Sequence, residues 1–211
     1  MISYDAIIVA SGKGSRLSLG YNKVFYKYED GQTILDKACA LFIEDDDCKN
    51  IIVVTNEEEF HLVNHNPKLI LVRGGKMRKD SVYEGLKVVK SPYVLIHDGA
   101  RPKLEVEDLD KLKSSLIEND AAILAVKAKE TIKLVIDSYI SETIDRNKVY
   151  LAQTPQGFRY EIIKNACDKA IDSEIEFTDD ASIAEYVGIK VKIVEGSYSN
   201  NKITYPSDLG I

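Results

Sequence analysis

Four of the six arginines in this 211-residue chain, Arg16, Arg73, Arg78 and Arg101, fall in three short segments that also carry glycine. The first is Ser11-Gly12-Lys13-Gly14-Ser15-Arg16, with Lys23 a few residues on. The second is Arg73-Gly74-Gly75-Lys76-Met77-Arg78-Lys79-Asp80-Ser81, and the third is Asp98-Gly99-Ala100-Arg101-Pro102. Lysine outnumbers arginine by 22 to 6, so this concentration of guanidinium groups is informative. A guanidinium stays charged and donates in a fork that matches phosphate. Glycines let backbone N–H groups approach the same anion. The combination points to a phosphorylated ligand; a tight strand-to-helix turn with solvated charges would carry the same residues.

Asp98 closes an apolar run beside these cations. A lone carboxylate there suits a Mg²⁺ ion or the waters around one, and a turn cap is the plainer alternative. His97 alternates inward and reads as packing. Several lookalikes are excluded. Gly12-x-Gly14 opens like a dinucleotide fingerprint, but Leu17 stands at its third glycine. Thr55, not an acid, ends the second apolar run, and no GxxxxGK[ST] loop occurs. No Ser/His/Asp or Cys/His constellation is apparent. Asp45-Asp46-Asp47, the one string resembling a DxD metal motif, precedes the second apolar run and reads as a solvated helix-end loop.

The elements that must position these segments alternate. Apolar runs at 4–10, 50–55, 68–72, 93–97 and 121–126 predict buried strands. Helical spacing predicts helices at 33–42 (capped by Thr33), 80–90 and 105–119. This β-α-β-α order implies an α/β fold, with a mainly parallel sheet and helices on both faces. In such sheets ligands bind outside the carboxyl ends of the strands, where the three segments fall. The pattern breaks at 127–150, which reads as two or three short polar strands with a hairpin tip at 135–142. Such a protruding arm serves dimerisation or is a plain surface hairpin. Helices at 160–171 and from Thr178, then a strand at 190–194, complete one domain spanning 1–211.

Composition bounds the function classes. Acidic residues number 34 against 28 basic, a net charge of −6, which disfavours bulk nucleic-acid binding. No apolar run reaches the ~18 residues of a membrane span. The opening Met1-Ile2-Ser3-Tyr4 enters a strand without a basic region, so no leader is expected. Cys39, Cys48 and Cys167 are scattered, as in a reduced, cytoplasmic protein.

Together these segments resemble the 2-C-methyl-D-erythritol 4-phosphate cytidylyltransferase family. Residues 10–17 (ASGKGSRL) are similar to its AAGxGxRM nucleotide loop, and Lys23 matches the lysine that follows it. Residues 74–82 resemble GGxxRxDSV, 97–102 resemble HDAARP, and 129–133 and 143–147 (TIDRN) resemble its arm motifs. Residues 153–158 are similar to QTPQ-x-F, 177–182 to TDEAS, and 201–204 to NIKVT. The motifs run in order across 4–209. Departures are Ser11 for a small apolar residue, Lys76 where an acid is frequent, and Asn201 directly before Lys202. The chain also stops at Ile211, where the family's pattern continues into a helix.

The resemblance implies a GT-A-like, three-layer nucleotidyltransferase acting on CTP and a sugar-alcohol phosphate with Mg²⁺, as a homodimer joined through the arm. It implies Arg16, Lys23 and Lys202 as catalytic. Ala10, Ser11, Gly12, Gly14, Gly74, Gly75, Arg78, Ser81 and Asp98 would bind the nucleotide, with Asp98 also facing the metal. Arg101, Thr131, Arg146 and Thr154 would hold the sugar phosphate. A phosphate monoester is already anionic near neutral pH, its second pKa being about 6, so no general base is required. Ribitol-5-phosphate cytidylyltransferases share the loop and QTPQ, and TIDRN favours methylerythritol phosphate. Outside this class stand sugar-nucleotide glycosyltransferases and a non-catalytic nucleotide-binding protein.

Overall fold

The computed structural model describes residues 2–12 and 20–209. Its centre is a seven-stranded sheet in the order β3-β2-β1-β4-β8-β5-β9. Strands β1 (Tyr4–Val9), β2 (Cys48–Thr55), β3 (Leu69–Arg73) and β4 (Tyr93–Asp98) are parallel. So are β5 (Ala121–Lys127) and β9 (Lys192–Glu195). The strongly apolar runs are buried on both faces, as a parallel sheet requires. Along β1, Tyr4, Ala6 and Ile8 pack on one face and Ile7 on the other. The first face meets Leu35, Cys39 and Phe42 of α1 (Ile34–Glu44) and Leu109, Leu112 and Leu116 of α3 (Val106–Glu118). The second meets α2 (Arg78–Leu86), α4 (Tyr160–Ala170) and α5 (Asp180–Tyr186) through Val82, Leu86, Ile163 and Ile183. Three layers result.

The expected α1 cap is present. Thr33 Oγ1 accepts from Asp36 N at 3.0 Å, and Asp36 accepts from Thr33 N at 2.8 Å, a reciprocal capping box. Helix α5 starts at Asp180, two residues later than the pattern suggested, because Asp179 caps it by accepting from Ser182 N at 2.9 Å.

One strand escaped the hydrophobic pattern. β8 (Tyr150–Arg159) runs antiparallel between β4 and β5 in the middle of the sheet. Its glutamines and Pro155 disguise it, since a central strand rarely holds proline. The structure tolerates Pro155 because β5 pairing shifts register between Ile123 and Ala125, where the ladder is interrupted. Gly157 lies opposite Leu95, and a Cβ there would meet Leu95 at 2.7 Å and Leu116 at 2.6 Å.

Strands β6 (Ile132–Ile136) and β7 (Tyr139–Ile144) form a separate two-stranded hairpin. Its turn residues Asp137 and Ser138 have φ of 48° and 68°, the backbone of a tight two-residue hairpin turn. The hairpin is less polar than expected: Val135, Ile136, Tyr139 and Ile140 are all more than half exposed.

The acidic triplet also departs from a purely solvated loop. Asp45 caps the end of α1 and accepts from Tyr4 Oη and Lys113 Nζ, both at 2.8 Å. Asp47 lies 3.3 Å from the same ammonium. The triplet belongs to the amino-terminal pole of the sheet, opposite the cluster described next.

Candidate active site

At the carboxyl ends of β1, β2 and β4 a cleft of about 590 Å³ opens. Its walls are residues 9–12 from β1, 22–24, Asn56 after β2, 75–78 leading into α2, and Asp98, Ala100 and Lys202. The volume lies in the range of sites for small organic ligands. The N-terminus of α2 faces it, where backbone N–H groups and the helix dipole favour an anion.

Asp98 is the electrostatic centre of the floor. Lys202 Nζ donates to its Oδ2 at 2.8 Å, Arg78 Nη2 to its Oδ1 at 3.5 Å, and Arg101 Nε stands 3.8 Å away. Burial alone would raise this carboxyl's pKa. The positive charges of Arg78, Lys202 and Arg101 outweigh it and hold the group well below the usual carboxylate range. Arg78 is itself gripped by Asp180, with both Nη atoms at 2.8 Å from the two carboxylate oxygens. Burial disfavours the guanidinium charge, but Asp180 and Asp98 more than compensate and bind its proton tighter than usual. Gln156 of β8 ties Asp180 to the sheet: its Oε1 accepts from Asp180 N at 3.0 Å and from Ala181 N at 2.9 Å.

Beneath Asp98 lies a neutral relay. His97 is fully buried, and its Nε2 donates to the Arg101 carbonyl at 3.0 Å. Nδ1 is then the acceptor for the Thr154 hydroxyl at 3.0 Å, and Thr154 Oγ1 accepts from Asp98 N, also at 3.0 Å. Burial holds the imidazole pKa down to about 4, so the ring is neutral.

The β3–α2 turn builds one wall. Ser81 Oγ accepts from Gly75 N at 3.1 Å and lies 2.8 Å from Ser11 Oγ. A Cβ on Gly74 would stand 2.7 Å from that of Ser11, and one on Gly75 would collide with Asp80, so both positions require glycine. Opposite, Lys23 Nζ donates to the Ile203 carbonyl at 2.6 Å.

The arrangement can hold and neutralise a polyphosphate; among the described residues no thiol is poised as a nucleophile. Burial pushes all three thiols up to about 12. Among the described residues no cluster of three or more His, Cys, Asp or Glu could hold a metal ion.

Comparison with known proteins decides the family. A family model described as 2-C-methyl-D-erythritol 4-phosphate cytidylyltransferase (IspD) matches residues 4–211. The chain is 42% identical over 217 residues to the enzyme of that name from Bacillus velezensis, covering 99% of this chain and 93% of the relative. It is 39% identical to the one from Halalkalibacterium halodurans, covering 99% and 94%. The crystal structure of Francisella tularensis 2-C-methyl-D-erythritol 4-phosphate cytidylyltransferase aligns with a TM-score of 0.87 at 33% identity, covering 99% of this chain and 97% of that one. The chain belongs to the 2-C-methyl-D-erythritol 4-phosphate cytidylyltransferase family.

Set in this cytidylyltransferase fold, the residues expected from sequence divide into groups. Ala10, Ser11, Gly12, Lys23, Gly75, Arg78, Asp98 and Lys202 line one cleft, with Gly74 and Ser81 directly behind its wall. Gly14 and Arg16 lie outside the described residues. Arg101 and Thr154 sit under the floor: Arg101 Nη1 donates to the Asn200 carbonyl at 2.7 Å, and the Thr154 hydroxyl is engaged by His97 and Asp98. Thr131 and Arg146 are exposed at the base of the hairpin, off the cleft wall, with Arg146 Nη1 donating to the Lys129 carbonyl at 2.9 Å. Arg73, counted among the clustered arginines, points away and pairs with Glu57 at 3.5 Å. Asn22, Asn56 and Asp180 were not singled out. Asn56 directly follows a parallel strand, which is the signal that would have found it. Asp180 stands in the TDEAS-like segment but is recognisable as a site residue only through Arg78.

Proposed function

We propose that this protein joins CTP to 2-C-methyl-D-erythritol 4-phosphate, releasing pyrophosphate and forming the CDP-linked alcohol, a step of isoprenoid precursor synthesis by the non-mevalonate route. One observation carries the reading: a cleft at the carboxyl ends of the strands whose floor carboxylate, Asp98, is ringed by Arg78, Arg101 and Lys202. A phosphate oxygen of the alcohol attacks the α-phosphorus of CTP. A new P–O bond forms as the bond from the α-phosphorus to the bridging oxygen breaks, and the electron pair leaves with pyrophosphate. The attacking oxygen is already anionic, so catalysis is orientation plus charge stabilisation.

Arg16, Lys23 and Lys202 stabilise the charge gathering on the α-phosphate and the leaving group, where one preorganised contact is worth about 2.7–4 kcal/mol. Gly12 and Gly14 admit the phosphates to the backbone. Ser11, Ser81 and the Gly74–Gly75 turn read the base and ribose. Arg78 supports that wall, and Arg101 and Thr154 act from below through Asp98. A single carboxylate fits a Mg²⁺ ion held chiefly by triphosphate oxygens, not an all-protein cage. Asp98 is the residue that would hold it, and the ion would neutralise charge on the leaving pyrophosphate.

Thr131 and Arg146 face the sugar phosphate of a second copy, reached through the hairpin. The exposed apolar residues Ile136, Tyr139 and Ile140 support dimerisation there, since a monomer rarely leaves such a patch uncovered. No helix among the described residues is long and apolar enough to cross a membrane, and the reduced thiols fit a cytoplasmic enzyme.

The test is pyrophosphate release with Mg²⁺ and CTP, comparing methylerythritol 4-phosphate with ribitol 5-phosphate. Release with the first alone is expected. Release with the second alone would overturn the assignment of Thr131 and Arg146; CTP binding without turnover on either would favour a nucleotide-binding protein.

A further inference from the structure

We propose that Glu59 is a positioning residue for Lys23, acting through Asn22. The inference rests on the reading of Lys23 as a charge-stabilising group given above. Glu59 lies in the short 3₁₀ helix Glu57–Leu62 that follows β2. A single oxygen of its carboxylate, Oε2, accepts from three residues: Thr55 Oγ1 at 2.6 Å, Asn56 Nδ2 at 2.9 Å and Asn22 Nδ2 at 3.1 Å. Thr55 is the fully buried last residue of β2, so this acceptor is anchored to the sheet.

Asn22 is 5% exposed and directly precedes Lys23. Its second amide hydrogen goes to the Ala10 carbonyl at 2.6 Å, just beyond the end of β1. Its Oδ1 faces Val24 N at 3.4 Å and starts the turn Lys23–Phe25. Both amide hydrogens therefore face acceptors and the oxygen faces a donor, which leaves one orientation for this side chain. Through it, the residue before Lys23 is tied to the ends of two neighbouring parallel strands. Lysine carries a flexible stem and a point charge, so its aim depends on how firmly its backbone is held. The Nζ–Ile203 contact at 2.6 Å marks where that aim leads, beside Lys202.

An ordinary surface glutamate would lower no rate when removed. A positioning role predicts a loss carried by Lys23, since a misplacement of about 1 Å can cost on the order of 10²-fold. The experiment measures steady-state pyrophosphate release for Glu59→Ala, Lys23→Ala and the double variant, with thermal midpoints alongside. Lys23→Ala should lower kcat by about 10²-fold. Glu59→Ala should lower kcat by on the order of 10-fold or more, with the alcohol-phosphate KM little changed. In the Lys23→Ala background Glu59→Ala should cost nothing further. Glu59→Gln keeps an oxygen acceptor and should recover most of the rate, because charge assistance accounts for only about half of such a bond.

Normal turnover in Glu59→Ala beside an impaired Lys23→Ala would overturn the clamp and leave the reading of Lys23 standing. The same loss from Glu59→Ala in both backgrounds would also overturn it, since Glu59 would then act independently of Lys23. Unimpaired Lys23→Ala would remove the role of Lys23 and the clamp with it. If Glu59→Ala does not fold, the near-isosteric Asn22→Asp turns a carboxylate toward Glu59 and the Ala10 carbonyl. It should lose a comparable factor, and normal turnover in that variant would refute the proposal.

Discussion

The neutral imidazole under the floor makes stability depend on pH in a window that can be worked out. His97 has a pKa near 4 in the folded protein, and burial is the first cause. In the unfolded chain it is about 6.5. Between these values the unfolded state binds more protons, so stability falls as pH falls from about 6.5 towards 4. From pH 7 to 4.5 the loss from this one group is about 2 kcal/mol. For a chain of this size that is a fall of about 4–8 °C in Tm. Asp98, whose pKa is also depressed, begins to add its loss only below about pH 5, and it is present in both proteins compared next, so it cancels. Substituting His97→Gln removes the titration yet keeps an amide that can donate to the Arg101 carbonyl and accept from Thr154. Denaturant unfolding of both proteins should be followed at half-unit steps from pH 7 to 4.5. The wild type should lose about 2 kcal/mol more than the variant over that range. His61 and His65 are present in both and cancel. Parallel curves would mean that His97 is protonated or solvated in the folded protein. The Thr154–Asp98 relay would then be drawn with the wrong proton.

Two further outcomes follow from the site. Breaking the buried Arg78–Asp180 pair with Asp180→Asn should destabilise by about 3–5 kcal/mol, whereas Arg78→Met with Asp180→Leu should regain much of the stability without regaining activity; chemical unfolding and turnover measured together check this. Arg146→Ala should raise the KM for the alcohol phosphate with little change for CTP, and an unchanged value would remove the hairpin from the substrate site.

Much of the fold was legible because parallel strands are buried on both faces and read as unbroken apolar runs. The sequences at β1, β2, β4 and β5 are of that kind, and helices α1 and α3 show their spacing plainly. β8 was not legible. Gln153, Pro155 and Gln156 are polar or strand-breaking, and each is excused by something distant in sequence. Gln153 donates to the Ser197 carbonyl at 2.8 Å, Gln156 caps α5, and Pro155 sits in a register shift. A strand whose polar residues are engaged by tertiary partners carries no local signature.

The same distinction governs the site. Charged groups in the segments that follow strands announce themselves: Arg78 and Asp98 stand out by type and position, whereas Lys202 is marked only by the family resemblance. The groups that orient them are often neutral, and their function exists only in their pairing. Asn22 means little until Ala10 and Glu59 are beside it, and Thr154 means little until His97 and the Asp98 amide are. Even a charge can be misread alone. Arg73 and Arg78 are five residues apart with the same chemistry, yet one faces solvent at 76% side-chain exposure while the other is gripped by a carboxylate with none. What separates them is Asp180, a hundred residues away. Burying Asp180 is favourable only with a partner, and Arg78 is the cation within reach. The pairing, not the residue type, therefore distinguishes Arg78 from Arg73.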